Sequence, residues 1–497
     1  MQVNNSQMRF AGLISGLDTE SIVKELMNAE RTPLVKLLQK KQLLEWQRDS
    51  YREVNKLLKD FDTFIFDGIF RQSTFMKKTV SSSNENAVTA RAINSSANVS
   101  VQIQVEQLAT SEVWVSGSDI AYTAGEARTL TFYVTKPGQA EATEVTVEIG
   151  ENDTLDDVIR KLNRSGLGVT VFYDEFNKNL VMTMNETGEG AVIEVADDAT
   201  REFMTNQLKF TANGKVLQSI EGSGKNAKFT INGYATERTS NVFTINGIEY
   251  TLKNVTNSPV TITTATDVDS IVDAVVKFVN EYNKLVDQLN AKLTEPKYRN
   301  YPPLTDEQKE EMTEKQIELW EEKAKSGLLR NDSIISNGLN QMRLDIYTPV
   351  ELADGTKLYL ADFGITVVKD YSQRGKLEID EDKLRAKIAE DPMKLYELFN
   401  NTGANNDHAS MGIAQRLRAT TKQVTLRIEE RAGNSARTNQ QFVLGRNIID
   451  IDKQIERMQE RLKKIEERYW RQFTAMEQAI QRANMQSMFL FEQFGGY

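Results

Sequence analysis

Apolar residues recur about every seventh position at both ends of this 497-residue chain, and the long stretch between them reads as short strands separated by turn residues. Leu37, Leu44, Tyr51, Leu58 and Ile65 mark the first seam; Ile448, Ile451, Ile455, Met458, Leu462 and Ile465 mark the second. Such a seam buries one stripe of a helix, so each needs a partner helix, and the other end of the same molecule is the nearest candidate. The pattern points to assembly before catalysis.

Composition narrows the chemistry. The length suggests roughly three domains. With 71 acidic against 61 basic residues and a formal charge of -10, there is no basic field to gather a nucleic-acid polyanion. The absence of cysteine excludes disulfides and thiolate sites, and a single histidine, His408, cannot build a histidine metal cluster. Residues 1–17 lack the basic region and apolar run of a secretory signal, and no run of 18 apolar residues occurs. The expectation is a soluble chain that does not enter a membrane and is not exported by a cleaved signal.

Asp18 and Thr19 are N-cap candidates before Ile22, Leu26 and Ala29, which share a helical face. Pro33 is expected to end that helix and open a second over residues 34–66, roughly 50 Å long. From about Lys78 the period becomes two, as in Val99, Val101, Ile103 and Val105, with further strands at 130–135, 144–149, 169–173 and 180–185 and a helix at 154–164. The pentapeptide Phe-Thr-Ile-Asn-Gly occurs at Phe229–Gly233 and again at Phe243–Gly247. Asn-Gly favours a tight hairpin turn, so each copy reads as strand then turn, and a β-meander is expected. The helical period returns with Val272, Val275, Val279, Tyr282, Val286, Leu289 and Leu293.

After a charged segment, 305–325, come helices at 328–347 and 380–389 around a small β element, 357–368, and a last helix from about Ser435 to Met488. Its seam continues as Tyr469, Phe473, Met476, Ile480 and Ala483. The extra four-residue step between Ile465 and Phe473 breaks the heptad, which predicts a change of partner there. Phe489, Phe491 and Phe494, before Gly495, Gly496 and Tyr497, form an aromatic tail with no evident cover in a monomer.

Several chemical motifs reduce to ordinary structure. Gly222-Ser223-Gly224-Lys225 is like the end of a phosphate loop, but Ser219 and Asn226 stand where glycine and a hydroxyl residue belong, so it reads as a turn. Asp174, Asn177 and Asn179 lack the glycine and glutamate of a calcium loop and read as a polar hairpin. The pairs Asp156–Asp157, Asp197–Asp198 and Glu429–Glu430 read as solvated surface rather than glycosidase carboxylates. His408 has no serine, cysteine or acid positioned to use it. No catalytic, cofactor-binding or metal-ligating residue is assigned, and a wall-hydrolase reading is weak.

The motifs together resemble the flagellar filament cap family, also called hook-associated protein 2. The resemblance rests on Ile14-Ser15-Gly16-Leu17-Asp18-Thr19 with Ile22-Val23, on Val105-Glu106-Gln107-Leu108-Ala109, and on Thr154-Leu155 with Asn163. It continues through Ser240-Asn241, Phe278-Val279-Asn280-Glu281-Tyr282-Asn283, Gly327-Leu328-Leu329-Arg330, Phe363-Gly364-Ile365 and Gly375-Lys376-Leu377-Glu378-Ile379-Asp380. Arg468-Tyr469-Trp470, Phe473, Met476-Glu477, Asn484 and Gln486 complete it. Asn98 and Ser100 replace the family's usual glycine and tyrosine.

The resemblance implies an α+β multidomain chain: a coiled coil of the terminal helices, an α-helical bundle and inserted β-rich head domains. Its divisions are legs at 1–42 plus 468–497, flexible in free monomer, a bundle at 43–77 plus 267–467, one head at 78–107 plus 218–266 and a second at 108–217. It implies a homo-oligomeric ring, pentameric on the filament, with flagellin, the hook–filament junction proteins and a flagellar export chaperone as partners. The chain would leave through the flagellar export apparatus and cap the extracellular tip, retaining flagellin and promoting its folding; adhesin-like glycan or mucin binding by the heads is the alternative. Ile22, Leu26, Leu37, Tyr469, Phe473, Met476 and Ile480 are the expected assembly interface. Leu44, Tyr51, Leu58, Ile65, Val275, Val279, Tyr282, Ile455 and Leu462 are expected inside the bundle of one protomer.

Overall fold

The computed structural model describes residues 18–93, 98–369, 375–403 and 408–494, and its first helix, α1, runs unbroken over Thr19–Asp67. Asp18 caps it by accepting the Ser21 amide at 3.0 Å. The expected break at Pro33 does not occur. Proline lacks the N–H that would bond the Ala29 carbonyl, but Ala29 and Pro33 are both exposed, so water can satisfy that carbonyl.

The chain divides into two compact units, Met1–Phe75 with Ile271–Tyr497 and Met76–Ser270. The second unit holds two β cores. In one, a five-stranded antiparallel sheet is ordered Lys78–Ser82, Val260–Thr266, Ser100–Gln107, Ala227–Ile231, Tyr234–Arg238, and shares its core with the sheet Val242–Ile245, Ile248–Leu252, Val88–Ala92. Asn232 and Gly233, and likewise Asn246 and Gly247, take the positive φ angles of a tight hairpin turn. Both hairpins form as expected, yet they do not continue as a meander. Each joins a different sheet, and Phe229 stacks on Phe243 at 4.6 Å between ring centroids.

The other core gathers Trp114, Phe132, Val147, Val171, Met182 and Ile193 from two further antiparallel sheets, with Val158 and Leu162 from α2, Leu155–Arg164. Thr154 and Asp157 cap α2 reciprocally: the Thr154 amide donates to Asp157 at 2.9 Å and the Asp157 amide to Thr154 at 3.3 Å.

Three asparagines of the sequence motifs share one task. The Asn163 side chain accepts from the Val171 N–H and donates to its carbonyl at 2.5 and 2.8 Å. Asn241 does the same for Ala109, at 2.8 Å both ways, and Asn283 for Leu377 at 2.7 and 2.8 Å. An amide in that position supplies the donor and acceptor that a neighbouring strand would otherwise provide.

In the helical unit α1 packs with α5 (Ile413–Ala432) and α6 (Val443–Phe494), α4 (Ser333–Tyr347) packs on α5, and α3 (Val268–Thr294) meets α1 through its aromatic rings. Val54, Phe61 and Ile65 are buried, and the Phe61 ring lies 6.5 Å from Phe278 and 6.3 Å from Tyr282. Asp332 caps α4 and also accepts the Tyr51 hydroxyl. Burial first, then that hydrogen bond, raises the Tyr51 phenol above its ordinary range, so it remains a donor.

Two expectations are corrected here. Helix α5 stands where no helix was expected, and the last helix starts at Val443 rather than near Ser435 because the intervening residues turn through a short 3-10 segment, Asn439–Gln441.

Glu429 near the end of α5 carries a pH dependence. Burial pushes its carboxyl up, but Lys59 at 2.7 Å and Asn55 at 3.4 Å outweigh burial and hold it below its ordinary value of 4.5. A depressed folded-state pKa adds stability that is complete above about 4.5 and is lost as pH falls through the folded value. Acid titration of the helical unit followed by circular dichroism is expected to fall less steeply below that pH for Glu429→Gln than for wild type; superimposable acid limbs would contradict the assignment.

Candidate assembly interface

Helices α1 and α6 have 49 and 52 residues, about 75 Å each at 1.5 Å per residue. Of the residues assigned to the bundle, Tyr51, Leu58, Ile65, Val275, Val279, Tyr282, Ile455 and Leu462 are buried and Leu44 is half-buried. Leu462, however, belongs to a separate small core with Val23, Met27 and Ile465, against which Leu34, Met458, Tyr469, Trp470 and Phe473 pack. Lys41 pairs with Asp452 at 2.7 Å, and the Tyr469 hydroxyl donates to Glu30 at 3.2 Å.

The face of α1 turned to α6 carries Val23 and Met27, one position after the expected assembly residues Ile22 and Leu26. Val23 and Met27 are buried, whereas Ile22 is half-buried and Leu26 is 39% exposed. The spacing of Thr19, Val23, Met27 and Leu34 was the signal available. Leu37, Tyr469, Phe473, Met476 and Ile480 are half-buried. The extra step at Tyr469 does not change the partner, since Ile465 before it and Phe473 after it both pack with α1 residues.

Farther along, α6 runs bare. Every described side chain from Gln481 to Phe491 is exposed, including Met485, Met488, Phe489, Leu490 and Phe491, the last at 80%. Consecutive large apolar side chains in water mark a surface awaiting a partner. The Phe494 side chain, Gly495–Tyr497 and the Ile14–Leu17 part of the amino-terminal signature lie outside the described residues.

The rejected motifs have visible structural uses. The Glu112 carboxylate accepts from Ser219 and from Ser223 at 3.2 Å, so an acid already occupies the glycine-rich turn. Asp174 accepts from Asn177 and from the Phe176 amide within its hairpin. Asp157 caps α2, and Asp197 accepts the Thr200 amide at 2.7 Å. His408 is a correction: an acid is positioned for it, because its Nε2 lies 3.0 Å from the fully buried Asp345. Asp345 is 63 positions away in sequence, so the local loop could not reveal it.

Two terminal helices that pair with each other, the second ending in exposed apolar surface, on a chain with an inserted β unit, define a structural protein built to assemble. Comparison with known proteins supplies the family. Residues 15–112 match the flagellar hook-associated protein 2 N-terminus, 224–485 the flagellar hook-associated protein 2 C-terminus, and 129–186 the flagellin hook IN motif. The chain is 36% identical to flagellar hook-associated protein 2 of Halalkalibacterium halodurans, over 96% of this chain and 98% of that one. It is 29% identical to the A-type flagellar hook-associated protein 2 of Pseudomonas aeruginosa, over 96% and 95%. The fold resembles the crystal structure of the D1-D2-D3 domains of the Escherichia coli flagellar cap protein, with a TM-score of 0.57 at 22% identity, covering 78% of this chain and 97% of that one. The chain belongs to the flagellar hook-associated protein 2 family, and its role is that of a flagellar cap protein.

Proposed function

We propose that copies of this chain form a ring at the distal, extracellular tip of the flagellar filament, where the ring retains exported flagellin and promotes its folding and insertion. The observation that carries this reading is the exposed apolar end of α6, a surface of the size and character that a neighbouring copy would cover. Half-buried Ile22, Leu37, Tyr469, Phe473, Met476 and Ile480, with the exposed Leu26, leave further surface beside it for a neighbouring copy. In this reading residues 1–42 and 468–497 are the legs, 43–77 and 267–467 the bundle, and 78–107 with 218–266 and 108–217 two heads; the two separate β cores favour two heads. Its partners are then other copies, flagellin, the hook–filament junction proteins and an export chaperone, and its exit is the flagellar export apparatus.

The test is complementation of a deletion strain with the full chain or with a chain ending at Gln481. Truncation is expected to abolish swimming and release unpolymerised flagellin into the medium, while circular dichroism shows the remaining helices intact. Normal filaments on the truncated chain would overturn the reading.

A further inference from the structure

Between α3 and α4 the chain makes an excursion, residues 297–326, that leaves and returns at one point. At its neck the Ser326 hydroxyl donates to the Pro296 carbonyl at 2.7 Å and the Gly327 amide to Glu295 at 3.0 Å. Gly327 has φ +74°, and a Cβ there would stand 3.0 Å from the Pro296 carbonyl oxygen, so the closed neck selects glycine. The excursion holds itself together. The Trp320 indole donates to the Pro302 carbonyl at 2.7 Å and packs on Tyr301, while Glu321 pairs with Lys309 at 2.8 Å and Lys325 at 3.1 Å.

Its outward reach ends on α1. Gln39 donates to the Pro303 carbonyl at 3.0 Å, the Lys325 ammonium lies 4.9 Å from the centre of the Trp46 ring, and just past the neck Gln47 donates to the Leu328 carbonyl at 3.4 Å. Beside these contacts lies a cleft of about 710 Å³ lined by Trp46, Asp49, Glu53, Lys292, Glu322 and Lys325. The excursion therefore bridges to α1 through a few polar contacts. It does so where α1 buries no side chain fully: none from Asn28 to Ser50 is buried, Leu34 only packs on the edge of the terminal core, and Lys41 pairs with Asp452 of α6, between the terminal core at Val23 and Met27 and the bundle core beginning at Tyr51.

The geometry points to a strap: residues 297–326 hold residues 39–47 of α1 onto the bundle and so set how firmly the terminal helix pair is joined to it. Hydrogen exchange on the full chain tests this. In Gln39→Ala/Lys325→Ala, and in a chain with 297–326 replaced by a short Gly-Ser linker, amides 34–47 are expected to exchange about tenfold faster while 54–65 keep their protection. Unchanged exchange over 34–47, or a uniform rise along all of α1, would overturn the strap; if the deletion fails to fold, the double substitution decides alone.

Discussion

Replacing Arg416 with methionine is expected to destabilise the helical unit by about 3–5 kcal/mol, read as a lower urea midpoint. Arg416 is fully buried and donates to five main-chain carbonyls: His408 at 2.8 Å, Asp345 at 3.2 Å, Thr348 at 2.5 Å, Pro349 at 2.9 Å and Ala409 at 2.7 Å. Methionine fills similar space but leaves these acceptors without their donor, and a buried unmet carbonyl costs about 1–3 kcal/mol. It also loosens the backbone around the buried Asp345, whose carboxylate accepts from Gln341 at 3.0 Å and Thr420 at 2.5 Å and faces His408 Nε2. Lysine could not replace the five-donor fork. A loss below about 1 kcal/mol would show that these loops find other partners.

The second large effect is local. Leu462→Asp is expected to separate the terminal helix pair and abolish swimming while the bundle from Tyr51 onward stays folded. Among the described residues Leu462 shares a small core of four buried side chains with Val23, Met27 and Ile465. Each such side chain contributes about 1.5–3 kcal/mol by burial. An unpaired carboxylate there costs several kcal/mol, enough to offset most of what so small a core supplies. Circular dichroism should show a partial loss of helix, and Leu462→Met should behave as wild type. Unchanged helix content together with normal swimming would refute the importance of this core.

What the sequence disclosed follows from which signals are local. The Asn-Gly turns identified both hairpins because the positive φ values reside in those residues; that Phe229 and Phe243 would face each other across two sheets is a tertiary fact absent from either hairpin. Helix α5 escaped notice because its buried face mixes Leu417, Val424 and Ile428 with Arg416, Thr420, Thr421 and Thr425, which an apolar period does not register. Ile22 and Val23 are both apolar, and only the position of α6 decides that Val23 turns inward while Ile22 stays half-buried. The motif asparagines are visible as a resemblance, but their reason, pairing with a single residue's backbone, is a tertiary contact.

The hydrogen bond between Glu30 and Tyr469 joins positions 439 apart. Closing a flexible loop of that length costs about 5 kcal/mol of chain entropy by the logarithmic law. Residues 76–270 are contiguous and own their two cores, so they can collapse early and take that stretch out of the loop. During synthesis from the amino end, α1 must wait without its long partner until α6 has emerged. Folding is therefore ordered by chain topology: the middle of the polypeptide can finish first, and its two ends together finish last.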